Sequence, residues 1–172
     1  MSNICENFDL TKCCGCGACV NICPVNALSY GKDEYGFVRP VVDERFCISC
    51  GKCVRSCPYQ AIEKKEGSSD SFLPVAYAAV NENTNITYKS SSGGIFYSFA
   101  KYVLDKNGIV FGACMQHDFK VCHVSVESLG DLLKIQRSKY VQSFIGDAYT
   151  QTRTALRAGR LVLFSGTPCQ IA

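Results

Sequence analysis

The sequence predicts an α+β protein: a small cysteine-rich module built as an internal repeat, followed by an incomplete α/β domain. Three observations predict it. Residues 13–28 align on residues 47–62 at an offset of 34, matching Gly17/Gly51, Val20/Val54, Pro24/Pro58 and Ala27/Ala61 as well as the cysteines. A polar, small-residue stretch, KKEGSSDSFLP, follows at 64–74. After it, short apolar runs alternate with segments of helical periodicity and glycine-containing turns, the rhythm of packed strands and helices.

The repeat comes first. Cys13, Cys16, Cys19 and Cys23 precede Pro24, and Cys47, Cys50, Cys53 and Cys57 precede Pro58, so both copies read C-x2-C-x2-C-x3-C-P. This is the spacing of proteins that carry two [4Fe–4S] clusters. A short irregular loop supplies three thiolates to one cubane. The fourth cysteine lies four residues after the third, on the same face of one helical turn, and is expected to ligate the other cluster. The expected sets are Cys13, Cys16, Cys19 and Cys57 for the first cluster, and Cys47, Cys50, Cys53 and Cys23 for the second. The prolines disfavour helical geometry at the residue before them and stop that turn. A zinc-stabilised module would use separated cysteine pairs or Cys/His mixtures, and a disulfide framework belongs to small secreted domains. Repeats this short bury no core singly, so the halves should pack around the clusters as one unit.

Short extended pieces are expected at 27–30 and 61–63, with a hairpin insert between the halves whose second arm, 37–42, is held to a sheet edge by Pro40. Cys14 is out of phase with the ligands and reads as a small buried filler; Cys5 reads as an unliganded thiol. Domain boundaries follow at 1–66 and 75–172, with a linker over 67–74.

In the second region, 75–80 (VAYAAV) reads as a strand and 81–89 as a turn. SSSGG at 90–94 leads into a helix over 95–106, stopped by Asn107-Gly108. Residues 109–113 read as a buried strand. Residues 121–126 alternate, with Cys122, Val124 and Val126 on one face and His123 and Ser125 on the other. Ser128 to Asp131 resembles a capping box. A polar loop over 137–143, a helix over 144–158 ended by Gly159, and a strand over 161–164 running into Ser165-Gly166-Thr167-Pro168-Cys169 complete the chain. Cys114 and Cys122 read as core; His117 and His123 have no ligand spacing. The last strand lacks the element expected to cover it, so the chain is expected to be the N-terminal part of a longer protein.

Apolar residues make up 47% of the chain and charged ones 19%, enough for a core. The formal charge is +3; two clusters with their thiolates would each add about −2, and no dense basic run is present. Nucleic acid is therefore not an expected partner. Residues 1–10 lack the apolar core of a signal peptide, no apolar run has the length of a membrane span, and thirteen cysteines point to a reducing cytoplasm.

The loops SSSGG and GTPC precede helices, where backbone N–H groups could hold a phosphate; each alone also reads as an ordinary cap or turn. In combination, the double cysteine motif, SSSGG, SKYVQS and FSGTPCQ resemble the coenzyme F420 hydrogenase/dehydrogenase beta-subunit family over residues 12–172. That resemblance implies an iron–sulfur flavoprotein: a two-cluster ferredoxin-like domain followed by an incomplete α/β flavin-associated domain. It implies FAD and a two-electron acceptor, the deazaflavin F420 in archaeal members. By resemblance, Ser91, Ser92, Gly93 and Gly94 would approach the flavin, Ser138, Lys139 and Tyr140 would sit at the same pocket, and Thr167 and Cys169 would lie near the flavin or a further cluster. The expected function is an oxidoreductase passing electrons between clusters, FAD and a small-molecule acceptor, supplied by a redox partner protein or subunit. The alternative is an electron carrier with a partner-docking domain.

Overall fold

A computed structural model describes residues 3–63 and 75–172; the expected linker over 67–74 lies outside the described residues. The chain divides into two compact units, Met1–Asp70 with Thr167–Ala172, and Ser71–Gly166. The C-terminal turn thus groups with the cysteine-rich unit, whereas the sequence placed it in a domain over 75–172. Among the described residues no helix is long and apolar enough to cross a membrane.

The first unit opens with helix α1 (Ile4–Asn7), capped by the Asn3 side chain, which accepts from the amides of Cys5 and Glu6. Helix α2 (Ala18–Ile22) leads to a two-stranded antiparallel sheet of β1 (Leu28–Lys32) and β2 (Val38–Val42), in register Leu28 to Val42. Pro40 lies opposite Tyr30 in this hairpin, where both strands are edges and its missing N–H costs no ladder bond. Helices α3 (Lys52–Arg55) and α4 (Pro58–Glu63) follow. The extended piece expected at 61–63 is instead the end of α4. Pro58 does not merely stop the preceding turn. It occupies the first position of a new helix, where its fixed φ is already helical and its missing N–H would have had no partner.

Ile4, Leu28 and Cys53 form the centre of this unit, with Phe8, Val20, Ile22, Val42 and Val54 packed on them. Cys19, Cys23 and Cys57 touch the same core, so both cysteine runs share one apolar interior.

The second unit contains α5 (Thr84–Tyr88), α6 (Ile95–Leu104), β3 (Ile109–Met115), β4 (Val121–Val126), α7 (Ala148–Arg157) and β5 (Val162–Phe164). Its sheet has the order β4-β3-β5, with β3 antiparallel to β4 and parallel to β5. Alternate residues of a strand face opposite sides of a sheet, and β3 shows it. Val110 packs with Ala100, Val103 and Leu104 of α6, while Ile109 and Phe111 pack with Ala148 and Ala155 of α7. The sheet is therefore covered on both faces.

Several expectations fail here. Residues 75–80 form no strand and are exposed, pairing with no strand among the described residues. The turn expected at 81–89 contains α5, capped by Asn83. The Ser128 and Asp131 side chains do meet, at 2.8 Å, but the ring precedes only a 3-10 turn, Leu132–Lys134. Helix α7 begins four residues later than expected, because Phe144 exchanges backbone hydrogen bonds with Val121 and His123 and so extends the sheet edge.

A final short helix, α8 (Pro168–Ile171), belongs to the first unit and starts in a capping box of Thr167 and Gln170.

Candidate iron–sulfur centres

Each cysteine run begins as an irregular loop that must turn sharply into a short helix. Gly17 and Gly51, one repeat apart, cap α2 and α3 in left-handed geometry, φ 75° and 68°. At Gly17 a Cβ would also sit 2.5 Å from the Tyr30 hydroxyl. Asn21 locks that contact by donating to both the Gly17 carbonyl, 3.1 Å, and the Tyr30 hydroxyl, 3.0 Å.

The helices end between the third and fourth cysteines. Helix α2 stops at Ile22 and Cys23 is extended (φ −66°, ψ 115°), the geometry a following proline favours. Helix α3 stops at Arg55, before Cys57. The fourth cysteine of each run thus lies at or just past the end of the helix that carries the third.

The result is two cavities. One is lined by Cys13, Cys16, Cys19 and Cys57, the other by Cys23, Cys47, Cys50 and Cys53. Cys14 also lines the first cavity. Among the described residues no three His, Cys, Asp or Glu side chains converge on one ion-sized point. The sulfurs instead surround two hollows, the arrangement a cubane of iron and sulfide requires, and this donor set fits two [4Fe–4S] groups.

The surroundings favour bound thiolates only when a metal is present. Burial, with the neighbouring thiols Cys16 and Cys13, pushes the Cys19 thiol up to about 12; burial likewise raises Cys16. A ligand must be a thiolate, so the charge of the metal has to offset that cost. Backbone amides are already aimed at sulfur: Gly15 N–H donates to Cys13 Sγ at 3.4 Å and Ala27 N–H to Cys23 Sγ at 3.3 Å. Such bonds stabilise the more negative, reduced state of a cluster.

Charge is placed on the loops as well. Arg39, from β2, donates to the Cys13 carbonyl and pairs with Asp33 at 3.0 Å; it lines the first cavity. Arg55 donates to the Cys50 carbonyl at 3.2 Å. Neither arginine was singled out from the sequence, because a cation's approach to a backbone carbonyl leaves no spacing signal.

Of the unliganded cysteines, Cys5 donates to the Pro40 carbonyl at 3.6 Å. Cys14 is exposed, not the buried filler expected, and it lines the first cavity. Cys114 and Cys122 face each other across β3 and β4, half-buried.

In the second unit the SSSGG loop meets the SKYVQS loop. The Ser138 amide donates to Ser91 Oγ at 2.8 Å, and Arg137 donates to the Lys89 carbonyl at 3.0 Å. Ser91 and Ser92 are exposed, as is Tyr140. Gly93 has a structural reason: a Cβ there would overlap the Ala79 carbonyl oxygen. Gly94 caps α6 in left-handed geometry. Lys139 turns its ammonium onto the carbonyls of Gln136 (2.5 Å), Arg137 (3.1 Å) and Lys134 (3.4 Å), and burial lowers its pKa. The fit of these side chains to an anionic flavin is thus partial. Thr167 and Cys169 lie in the first unit, with Thr167 Oγ1 3.1 Å from Cys169 Sγ.

His123, assigned no role from sequence, joins two of these loops. It is buried on β4, stacked on Phe164 at 5.3 Å, with Nδ1 2.9 Å from Ser143 Oγ and Nε2 2.9 Å from the Ser165 carbonyl. The carbonyl can only accept, so Nε2 carries the proton and Nδ1 accepts from Ser143. The alternation of 121–126 had put His123 on a polar face; the signal missed was that Val121, on the same face, is buried too.

Comparison with known proteins bears on the cysteine module first. A 4Fe-4S dicluster domain family matches residues 12–61, and a second family of the same description matches 39–89. The matches overlap at residues 39–61, so they describe one repeat in two registers, and residues 58–89 contain no further cysteine. The chain is also 32% identical over 175 positions to coenzyme F420-dependent sulfite reductase of Methanocaldococcus jannaschii. That alignment covers 96% of this chain and 25% of the relative, so the chain spans about a quarter of that protein's length. The eight cysteines and the dicluster matches together make this an iron–sulfur protein.

Proposed function

We propose that this chain is the electron-carrying N-terminal portion of an iron–sulfur flavoprotein oxidoreductase. It would pass electrons between two [4Fe–4S] clusters, FAD and a two-electron acceptor, F420 or another small molecule. The observation that carries the iron–sulfur part is the sorting of eight cysteines into two crossed quartets, each around its own cavity. The flavin part rests on the family resemblance and on an alignment with a reductase that runs through both units.

The clusters, when bound, would supply one-electron storage at low potential. The chain's own residues would do the rest. Cys13, Cys16, Cys19 and Cys57 would hold one group, and Cys23, Cys47, Cys50 and Cys53 the other. The shared core of Ile4 and Leu28 excludes water between the two runs, which keeps the surroundings of both apolar. The amides of Gly15 and Ala27 and the guanidinium of Arg39 would favour the reduced states. In the second unit, Ser91 and Ser138 would form part of a flavin surface that further chain completes.

One observation favours the alternative, an electron carrier with a docking domain for a redox partner: the ammonium of Lys139 is committed to backbone carbonyls. Iron, sulfide and flavin content of the complete protein, purified without oxygen, separates the readings. About eight irons per chain with one flavin supports the flavoenzyme. About eight irons without flavin supports the carrier. Zinc in place of iron overturns both.

A further inference from the structure

Cys114 on β3 and Cys122 on β4 are direct partners across the antiparallel pair, in the second unit and outside both quartets. On β4 the Val121 carbonyl and the His123 amide bond outward to Phe144, so the peptide groups of Cys122 point the other way, to β3. Cys114 and Cys122 are thus a hydrogen-bonded pair, with Cα atoms about 5.5 Å apart and side chains on one face of the sheet. That separation lies within the span of about 4.4–6.8 Å that a disulfide bridges. Both thiols are half-buried. Cys114 packs at the margin of the core that holds Val110 and Ile135, and the next residue, Met115, is exposed at the strand end. The pair therefore sits where the sheet leaves its core for solvent. The Cys114 thiol donates to the Met115 carbonyl at 3.5 Å, a weak bond that rotation about χ1 exchanges for contact with Cys122.

We propose that Cys114 and Cys122 form a redox-active dithiol that closes reversibly to a cross-strand disulfide, with a low-molecular-weight disulfide as oxidant. The Cys114 sulfur, as thiolate, attacks one sulfur of the small disulfide. The S–S bond of the reagent breaks, one small thiol leaves, and a mixed disulfide forms on Cys114. Cys122 then attacks the Cys114 sulfur and releases the second small thiol. Two S–H bonds in the protein are replaced by one S–S bond; two electrons and two protons end on the two small thiols. Directly opposite residues hold their Cβ atoms about 4.5–5.5 Å apart, against about 3.5–4.5 Å in a relaxed disulfide. The bond therefore closes under strain, which makes it easy to reduce and suits a reversible switch rather than a structural staple. Closed, it fixes the β3–β4 hairpin one residue from His123, whose ring holds Ser143 and Ser165.

The test uses the iron-loaded full chain under argon, treated with oxidised glutathione at mildly alkaline pH, quenched in acid, alkylated and digested with trypsin. Lys120 lies between the two cysteines, so cleavage there puts them on separate peptides, 107–120 and 121–134, that a disulfide alone would join. The expected result is a joined pair accounting for most of both peptides, and its loss when reduced glutathione is then added in excess. C114S should abolish the pair. C122S should leave Cys114 capped by glutathione, because the thiol that resolves the mixed disulfide is gone. Absence of the joined pair from the folded parent overturns the proposal, as does a pair that forms only after urea unfolds the chain. So does a bond that survives excess reduced glutathione, or a Cys114 left unmodified in C122S. Iron content is read before the oxidant is added and reports on the cluster assignment alone, so the two readings fail separately.

Discussion

At the residue scale, the crossed quartets make a claim that pairs of substitutions decide. Replacing Cys57 by Ser should cost one cluster, reducing iron from about eight to about four per chain. Adding C13S should cost nothing more, because Cys13 lines the same cavity; adding C47S should remove the rest. Uncrossed ligation would reverse the two double variants, and iron analysis with low-temperature electron paramagnetic resonance reads the difference. Arg39 lines the first cavity and donates to the Cys13 carbonyl. R39L removes positive charge beside a group that gains an electron, so the potential of one cluster should fall while the other stays. A shift of tens of millivolts is expected, about 59 mV being tenfold in a one-electron equilibrium, and a redox titration measures it. His123 carries the pH prediction. Burial lowers its pKa below the usual histidine value, so the unfolded chain takes up the proton first as pH falls. Stability should therefore be fully present above about pH 6.5 and decline as pH drops through the folded value. Thermal melting of H123N should show a flatter profile between neutral and mildly acid pH than the parent. A profile as steep as the parent's would remove His123 as the cause.

At the element scale, the short helices after each cysteine loop depend on a left-handed residue that the repeat keeps at Gly17 and Gly51. An alanine at such a φ costs about 1–2 kcal/mol. At Gly17 the Cβ would also press on Tyr30, whereas at Gly36, with φ 84°, nothing lies within 4 Å. G36A should therefore show the backbone cost alone, while G17A should be destabilised further and lose iron from the first quartet, as denaturant melts and iron analysis would record. The elements also show where sequence patterns mislead. The apolar run 75–80 has strand composition but finds no partner, and a strand needs a neighbour to satisfy its backbone. Pro58 reads as a stop and serves as a start, because the same fixed φ that forbids helix before a proline favours it after.

At the scale of the whole molecule, two units with separate cores should unfold separately. Chelating iron from the intact chain should lower the melting transition of the cysteine-rich unit and leave the other in place, since a group bound only to the folded state stabilises that state. Calorimetry with and without chelator checks it; a single transition that moves as a whole would show that the units unfold together. By itself the sequence determined the cysteine spacing, the repeat, the helix from 95 and the strands at 109 and 121. All of these are local: they depend on spacing along the chain, on turn residues and on periodicity. It also carries the expectation of two crossed quartets, because the spacing is that of proteins with two clusters. Only the tertiary structure decided what depends on contacts between distant residues. The placing of Arg39 on Cys13 and the joining of two loops by His123 belong there. Each is a pairing across 20 to 42 residues, and no periodicity or spacing in a single chain encodes which distant group fills the space that packing leaves.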